Sequence, residues 1–337
     1  MKASLLLVLA LGVASPARAE PIVLRMAGVA PDGTMWAREV KQLARDVEAD
    51  TRGAVNMKWY LGGIAGDELT IIDRIRRGQL DGEAGGGFCE RLAPSLRVLR
   101  LVGLIDRRDE LRYVINKLRP RLEAEMARSG FVSLGFASFG APILMTRTPV
   151  ASMADLQRTR LWVWSEDDVA QRSLQRLGVP VVPADVADAA SLYADGKVDG
   201  FVSIPLGGLG FQWSAQARYF TNLPIGILPG CLVVAQRSFD ALPLEHQEAI
   251  RAAGAKMLVH FEETGRLQDS ELLGSLFDKQ GMKRVPVSPA FHDQFFEAAR
   301  REREAVAAEV SSRQLLNEVL GWLADFRAEQ ASPRHAR

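Results

Sequence analysis

The feature that most limits what this chain can fold into is a repeated alternation of short apolar strands with helices that stop at a glycine. Ile22-Val23-Leu24-Arg25-Met26 reads as a buried strand, and Pro31-Asp32-Gly33-Thr34 as a turn with Thr34 as a candidate N-cap. Apolar residues at helical spacing follow over 36–48, and 55–60 alternates as a strand does. A helix over 67–77 closes at Gly78, and the run Gly85-Gly86-Gly87 marks a turn or a close backbone approach. The pattern then repeats: strands over 130–136 and 161–164, a helix over 166–177 stopped by Gly178, a strand over 179–182, a helix over 184–193 ending near Gly196, and a strand over 200–204. Strands fed by helices in this order form parallel β-α-β units. The expectation is therefore two α/β lobes in succession.

The carboxyl-terminal third is helical. Residues 244–279 form an amphipathic stretch preceded by Leu242-Pro243 and followed by Gly281. It reads either as two consecutive helices or as one long helix bracing both lobes, since ~1.5 Å per residue carries it beyond one lobe. A second helical region spans 289–329, and the residues after it read as a frayed tail.

At the amino end, Lys2, the apolar run 5–13 and Ala17-Arg18-Ala19 form a secretory signal with cleavage expected before Glu20. The apolar run is too short to span a bilayer, which takes roughly 20 residues. The localisation expected is the periplasm. In that oxidising compartment Cys89 and Cys231 could pair, or remain two buried thiols.

Composition removes several classes of function. A formal net charge of +1 leaves no basic footprint for nucleic acid. Apolar residues at 47% and charged residues at 25% suit an ordinary globular core. The four histidines show no helical zinc spacing, and the chain carries neither a nucleophile elbow nor a phosphate loop. Asp167-Asp168 reads as charge at a helix N-terminus rather than an acid–base pair. The expectation is a protein that is not an enzyme and takes no cofactor or metal.

Five segments together resemble the solute-binding proteins of TRAP transporters: Leu61-Gly62-Gly63 with Arg77-Gly78-Gln79-Leu80-Asp81, then Ser152-Met153-Ala154-Asp155-Leu156, Leu177-Gly178-Val179-Pro180-Val181, Tyr193-Ala194-Asp195-Gly196-Lys197-Val198-Asp199-Gly200, and Phe239-Asp240-Ala241-Leu242-Pro243. The resemblance implies an α/β, two-lobed periplasmic-binding-protein fold (type II-like) with a long helix bridging both lobes. It implies hinge closure on a small-molecule ligand and delivery to membrane permease subunits, with a periplasmic helical-repeat protein as an alternative partner; the chain itself is expected to be a monomer. The expected organisation is a signal peptide at 1–19, a first lobe from 20–140 plus 229–268, a second from 141–228 plus 269–325, and a frayed tail at 326–337.

The chain departs from the family where the ligand would be held. The family's carboxylate-gripping arginine falls on Trp162, while Arg160 falls on the usual lysine and shares a strand face with Trp162. Phe201-Val202-Ser203 stands where a polar residue often follows, and Gly140-Ala141-Pro142 stands where a second arginine often precedes. The expected ligand-binding set is Trp36, Phe88, Glu90, Pro142, Trp162, Trp164, Phe201, Ser203 and Trp213. Glu90 and Ser203 are its polar anchors. Trp36 either packs its helix or meets ligand, one of Trp162 and Trp164 could belong to the core, and Trp213 and Phe211 read as lobe surface or pocket floor. An aromatic cleft without an arginine favours a hydrophobic or atypical ligand (lipid-like, terpenoid or aromatic), a cation stacked on tryptophan being a variant. The alternative is an organic acid held by another arginine such as Arg160 or Arg147, or a sensing or scaffold module working with a partner protein.

Overall fold

A computed structural model of the chain describes residues 20–331; the signal segment and the final six residues of the expected tail lie outside them. Among the described residues, eleven strands form two sheets. In chain order they are β1 (Ile22–Ala27), β2 (Val55–Tyr60), β3 (Gly82–Gly85), β4 (Phe131–Gly140), β5 (Ile143–Thr146), β6 (Leu161–Trp164), β7 (Val181–Ala184), β8 (Gly200–Ser203), β9 (Tyr219–Thr221), β10 (Leu228–Ala235) and β11 (Lys283–Val285). The first sheet runs β2-β1-β3-β10-β4 and the second β11-β9-β5-β8-β6-β7.

Each sheet is parallel except for one strand, β10 in the first and β5 in the second. Both reversed strands come directly after the chain crosses between lobes, with no helix in between. Strands fed by helices deliver their carboxyl ends to the cleft. A strand entered from the cleft starts there, and so it must run the other way.

Helices cover both faces of each sheet. On the first sheet, Met35–Asp50 and Leu244–Glu271 bury Met35, Leu43, Ile250 and Phe261 against one face. Glu68–Arg76 and Arg108–Arg128 bury Ile71, Ile75, Leu118 and Leu122 against the other. The local signals act as expected. The Thr34 hydroxyl accepts from the Ala37 amide, and Gly78, Gly178 and Gly196 each take positive φ just past a helix.

The stretch 244–279 is one nearly continuous rod, with a wider π turn at Leu272–Leu276. Its first part packs on the first lobe through Met257 and Leu258, and Leu272 and Phe277 join the core of the second. It bridges the lobes. Helix Pro289–Val310 also spans them, burying Phe291 and Phe295 in the second lobe and Val306, Ala307 and Val310 in the first. The final helix, Arg313–Ala331, lies wholly on the first lobe through Leu315, Leu316, Val319 and Leu323. The expected boundaries need correcting there. Residues 313–325 belong to the first lobe, and 326–331 continue a helix instead of fraying, because the apolar stripe of that helix completes the core over Leu118 and Leu122.

Cys89 and Cys231 are joined by a disulfide, which ties the turn after the glycine run to β10.

Candidate functional site

A cavity of about 200 Å³ lies between the lobes, walled by the ends of strands that meet at the cleft. From the first lobe come Trp36, Trp59, Phe139 and Phe261. Phe139 holds this group together, with ring centroids 5.6 Å from Trp36 and 4.9 Å from Phe261. From the second lobe come Trp162, Trp164, Phe211 and Trp213, with Trp213 4.8 Å from Trp162 and 5.1 Å from Phe211. Pro142 and Ser203 complete the set of expected residues found on this wall. Trp162 and Trp164 are both there.

Three expected residues are not on the wall. Phe88 is fully buried in the first-lobe core, because the chain turns down after Gly87 and its amide donates to Glu68 Oε2 at 2.9 Å. Phe201 lies beneath the wall, stacked between Tyr193 (4.9 Å) and Trp213 (5.1 Å). Glu90 sits behind Arg100 and is bonded to it. The two arginines considered as replacement clamps are also elsewhere. Arg160 precedes β6, at the end away from the cleft, and forms a two-pronged pair with Asp199 through Nε at 2.9 Å and an Nη at 2.8 Å. Arg147 stacks 4.1 Å over the Tyr193 ring and bonds that residue's carbonyl.

Three ionisable residues line the cavity: Glu68, Arg100 and Asp167. Arg100 is buried and its guanidinium forks between Glu90 of the first lobe and Asp167 of the second. Desolvation works against its charge, but Asp167 and Glu90 outweigh it and hold Arg100 above its ordinary range. Burial pushes the Glu90 carboxyl up to about 7, with the Arg100 charge opposing. The glycine loop is satisfied too. Glu68 accepts from the amides of Gly86 (3.1 Å) and Phe88 (2.9 Å), so those donors are already engaged.

Gly85 and Gly87 allow two close approaches. A Cβ on Gly85 would strike the Glu68 carboxylate, and one on Gly87 would run into the Trp164 ring from the opposite lobe. On the same strand as Gly85, Glu83 is buried with neither carboxylate oxygen hydrogen-bonded. Burial, then the charges of Glu68 and Asp67, hold Glu83 well above the usual carboxylate range.

Trp59, Phe139, Phe261, Arg100, Glu68 and Asp167 were not among the expected site residues. Trp59 and Phe139 could have been found by the rule that carboxyl ends of parallel strands meet at the cleft. Phe261 and Arg100 carry no such signal, since each reaches the wall from a helical segment whose placement depends on the assembled lobes.

Two α/β lobes joined by repeated crossings, with a cavity between them at the strand ends, have the architecture of a small-molecule binding protein. Residues 26–309 match the model of DctP, the bacterial extracellular solute-binding protein family 7, and the chain belongs to that family, the periplasmic solute-binding proteins of TRAP transporters. A solute-binding protein of Chromohalobacter salexigens is 24% identical over 256 residues, covering 75% of this chain and 76% of its own. Among solved structures, the sugar acid binding protein of Advenella mimigardefordensis in complex with galactonate superposes with a TM-score of 0.85 at 17% identity, covering 91% of this chain and 99% of its own. An extracytoplasmic solute receptor of Bordetella pertussis binding pyroglutamic acid gives a TM-score of 0.80 at 19% identity, covering 89% and 99%. Members of the family bind small molecules in the periplasm and work with membrane permease subunits. They are transport proteins and not enzymes.

Proposed function

We propose that this protein captures a compact apolar molecule, aromatic or terpenoid-sized, and presents it to its transporter. The observation that carries this is the state of Arg100, the cationic side chain on the cavity wall, which is already bonded to two carboxylates. A ligand carboxylate arriving there would meet Asp167, Glu90 and Glu68 together with one arginine. Burying an anion without its own partner costs several kcal/mol. Covering ~200–300 Å² of apolar ligand surface instead contributes about 5–8 kcal/mol before the costs of association. The second term decides the class of ligand.

Size narrows it further. About 200 Å³ is below the ~300–1,000 Å³ of sites for drug-sized molecules, which suits a compact ring system better than a long acyl chain. The solved relatives named above carry galactonate and pyroglutamic acid, so this chain would differ from them in the chemistry of its ligand while keeping their fold.

The test is mass spectrometry of the small molecule released when protein purified from a periplasmic extract, without added ligand, is denatured in organic solvent. A stoichiometric apolar molecule is expected. A stoichiometric organic acid would overturn the reading and direct attention to Arg100 as its anchor.

A further inference from the structure

The acids Glu166, Asp167 and Asp168 open a helix of the second lobe, Asp168–Arg176, and each reaches an arginine of the first. Glu166 pairs with Arg91 at 2.6 Å, Asp168 with Arg97 at 3.3 Å, and Asp167 with Arg100. The middle pair differs from its neighbours. The Arg100 side chain is 7% exposed and that of Asp167 15%, and both line the ligand cavity. Asp167 uses its oxygens separately: Oδ1 accepts from the Ala170 amide at 3.0 Å as the helix cap, and Oδ2 accepts from Arg100.

Beyond its Cα, an aspartate side chain is an acetate unit. A two-lobed binding protein gripping an acid would present a buried guanidinium at the cavity wall and close over the ligand's carboxylate. Here the buried guanidinium is present, and the carboxylate upon it comes from the opposite lobe of the same chain. We propose that Arg100 is a carboxylate receptor occupied by Asp167, which acts as a built-in ligand. Asp167 thereby draws the lobes together and sets specificity by keeping acids out. As a statement about specificity this rests on the apolar-ligand reading above; as a statement about the receptor it stands on the Arg100 geometry alone.

Chemical rescue tests it. Asp167→Ala removes the acetate unit and leaves Arg100 with Glu90 only. Its melting temperature should fall, and sodium acetate should restore about 3–6 °C saturably in the millimolar range, measured against sodium chloride of equal ionic strength. Wild type should show no acetate-specific rise, and acetamide should rescue neither. Asp167→Ser keeps a helix-capping oxygen, so it separates loss of the cap from loss of the carboxylate, and it should be rescued as well. Asp167→Asn fills the place with an amide and should resist rescue. An absent acetate response in both the Ala and Ser variants, or an equal response in wild type, would overturn the proposal. The rescue readout does not depend on which molecule the extract yields, so the extract decides the ligand class and the rescue decides the receptor. An acid found in the extract would overturn the exclusion of acids even where rescue succeeds.

Discussion

Single residues set two opposing requirements at this site: room for the lobes to meet, and tolerance of carboxylates without water. Gly87 meets the first, because the Trp164 ring occupies the space where a side chain would begin. Gly87→Ala should lower the melting temperature of ligand-free protein, because the lobes can no longer meet, and should cut the amount of molecule carried through purification at least tenfold, the factor that ~1.4 kcal/mol of lost closure implies. Glu83 shows the second requirement. Burial and nearby acids hold its carboxyl well above the ordinary range, whereas the unfolded chain ionises it near its ordinary value. A group with a raised folded-state value contributes its full share to stability below the unfolded value and loses it as pH rises toward the folded one. Glu83→Met should therefore stabilise the protein by about 1–3 kcal/mol at pH 8, an advantage that shrinks toward pH 4, as read from melting curves across that range. Such residues were only partly legible in the sequence. The tryptophans at 162 and 164 announced an aromatic wall because alternation puts both on one strand face, but Phe88 and Phe201 look the same in sequence and lie one layer deeper. Glu90 was visible as an acid near the cleft. Its partner Arg100, ten residues on through an irregular helical turn, was not.

Among the elements, helices that stop at a glycine were read to within one or two residues at that end, because a glycine at positive φ just past a helix is a local requirement, while other ends drifted: the helix expected over 184–193 begins at Ala189 and the strand expected over 130–136 runs on to Gly140. The strand β10 was missed, since its place between β3 and β4 depends on residues far away in sequence. The same holds for the final helix. Its position over Leu118 and Leu122 follows from which apolar stripe is left uncovered after 300 residues have packed, and spacing cannot convey that. Ending the chain at Ser312 would uncover that surface and remove Leu315, Leu316, Val319 and Leu323, four buried side chains contributing roughly 1.5–3 kcal/mol each. That loss, roughly 6–12 kcal/mol, is comparable to the whole stability of a domain. The truncated protein should accumulate in the insoluble fraction, whereas ending it after Ala331 should leave yield and melting temperature unaltered. Reducing the bond between Cys89 and Cys231, or replacing both with alanine, should lower stability by about 2–5 kcal/mol in chemical denaturation, since the bond closes a long loop.

At the scale of the molecule, two aromatic clusters, one from each lobe, line the cleft, and three ion pairs cross it. The closed, ligand-bound protein should scatter X-rays with a radius of gyration near ~20 Å, and stripping the ligand should raise it. An unchanged radius would argue against hinge closure. The order in which the lobes are completed has a further consequence. The first lobe gains β10 only at residue 228 and its outer cover only at 313–331, while the second is finished only once β11 and helix Pro289–Val310 have been made. A chain emerging amino end first from the ribosome therefore cannot finish either lobe until most of it exists. It stays pliable until late in its synthesis, a condition that suits a polypeptide threaded through a narrow channel before it settles into shape.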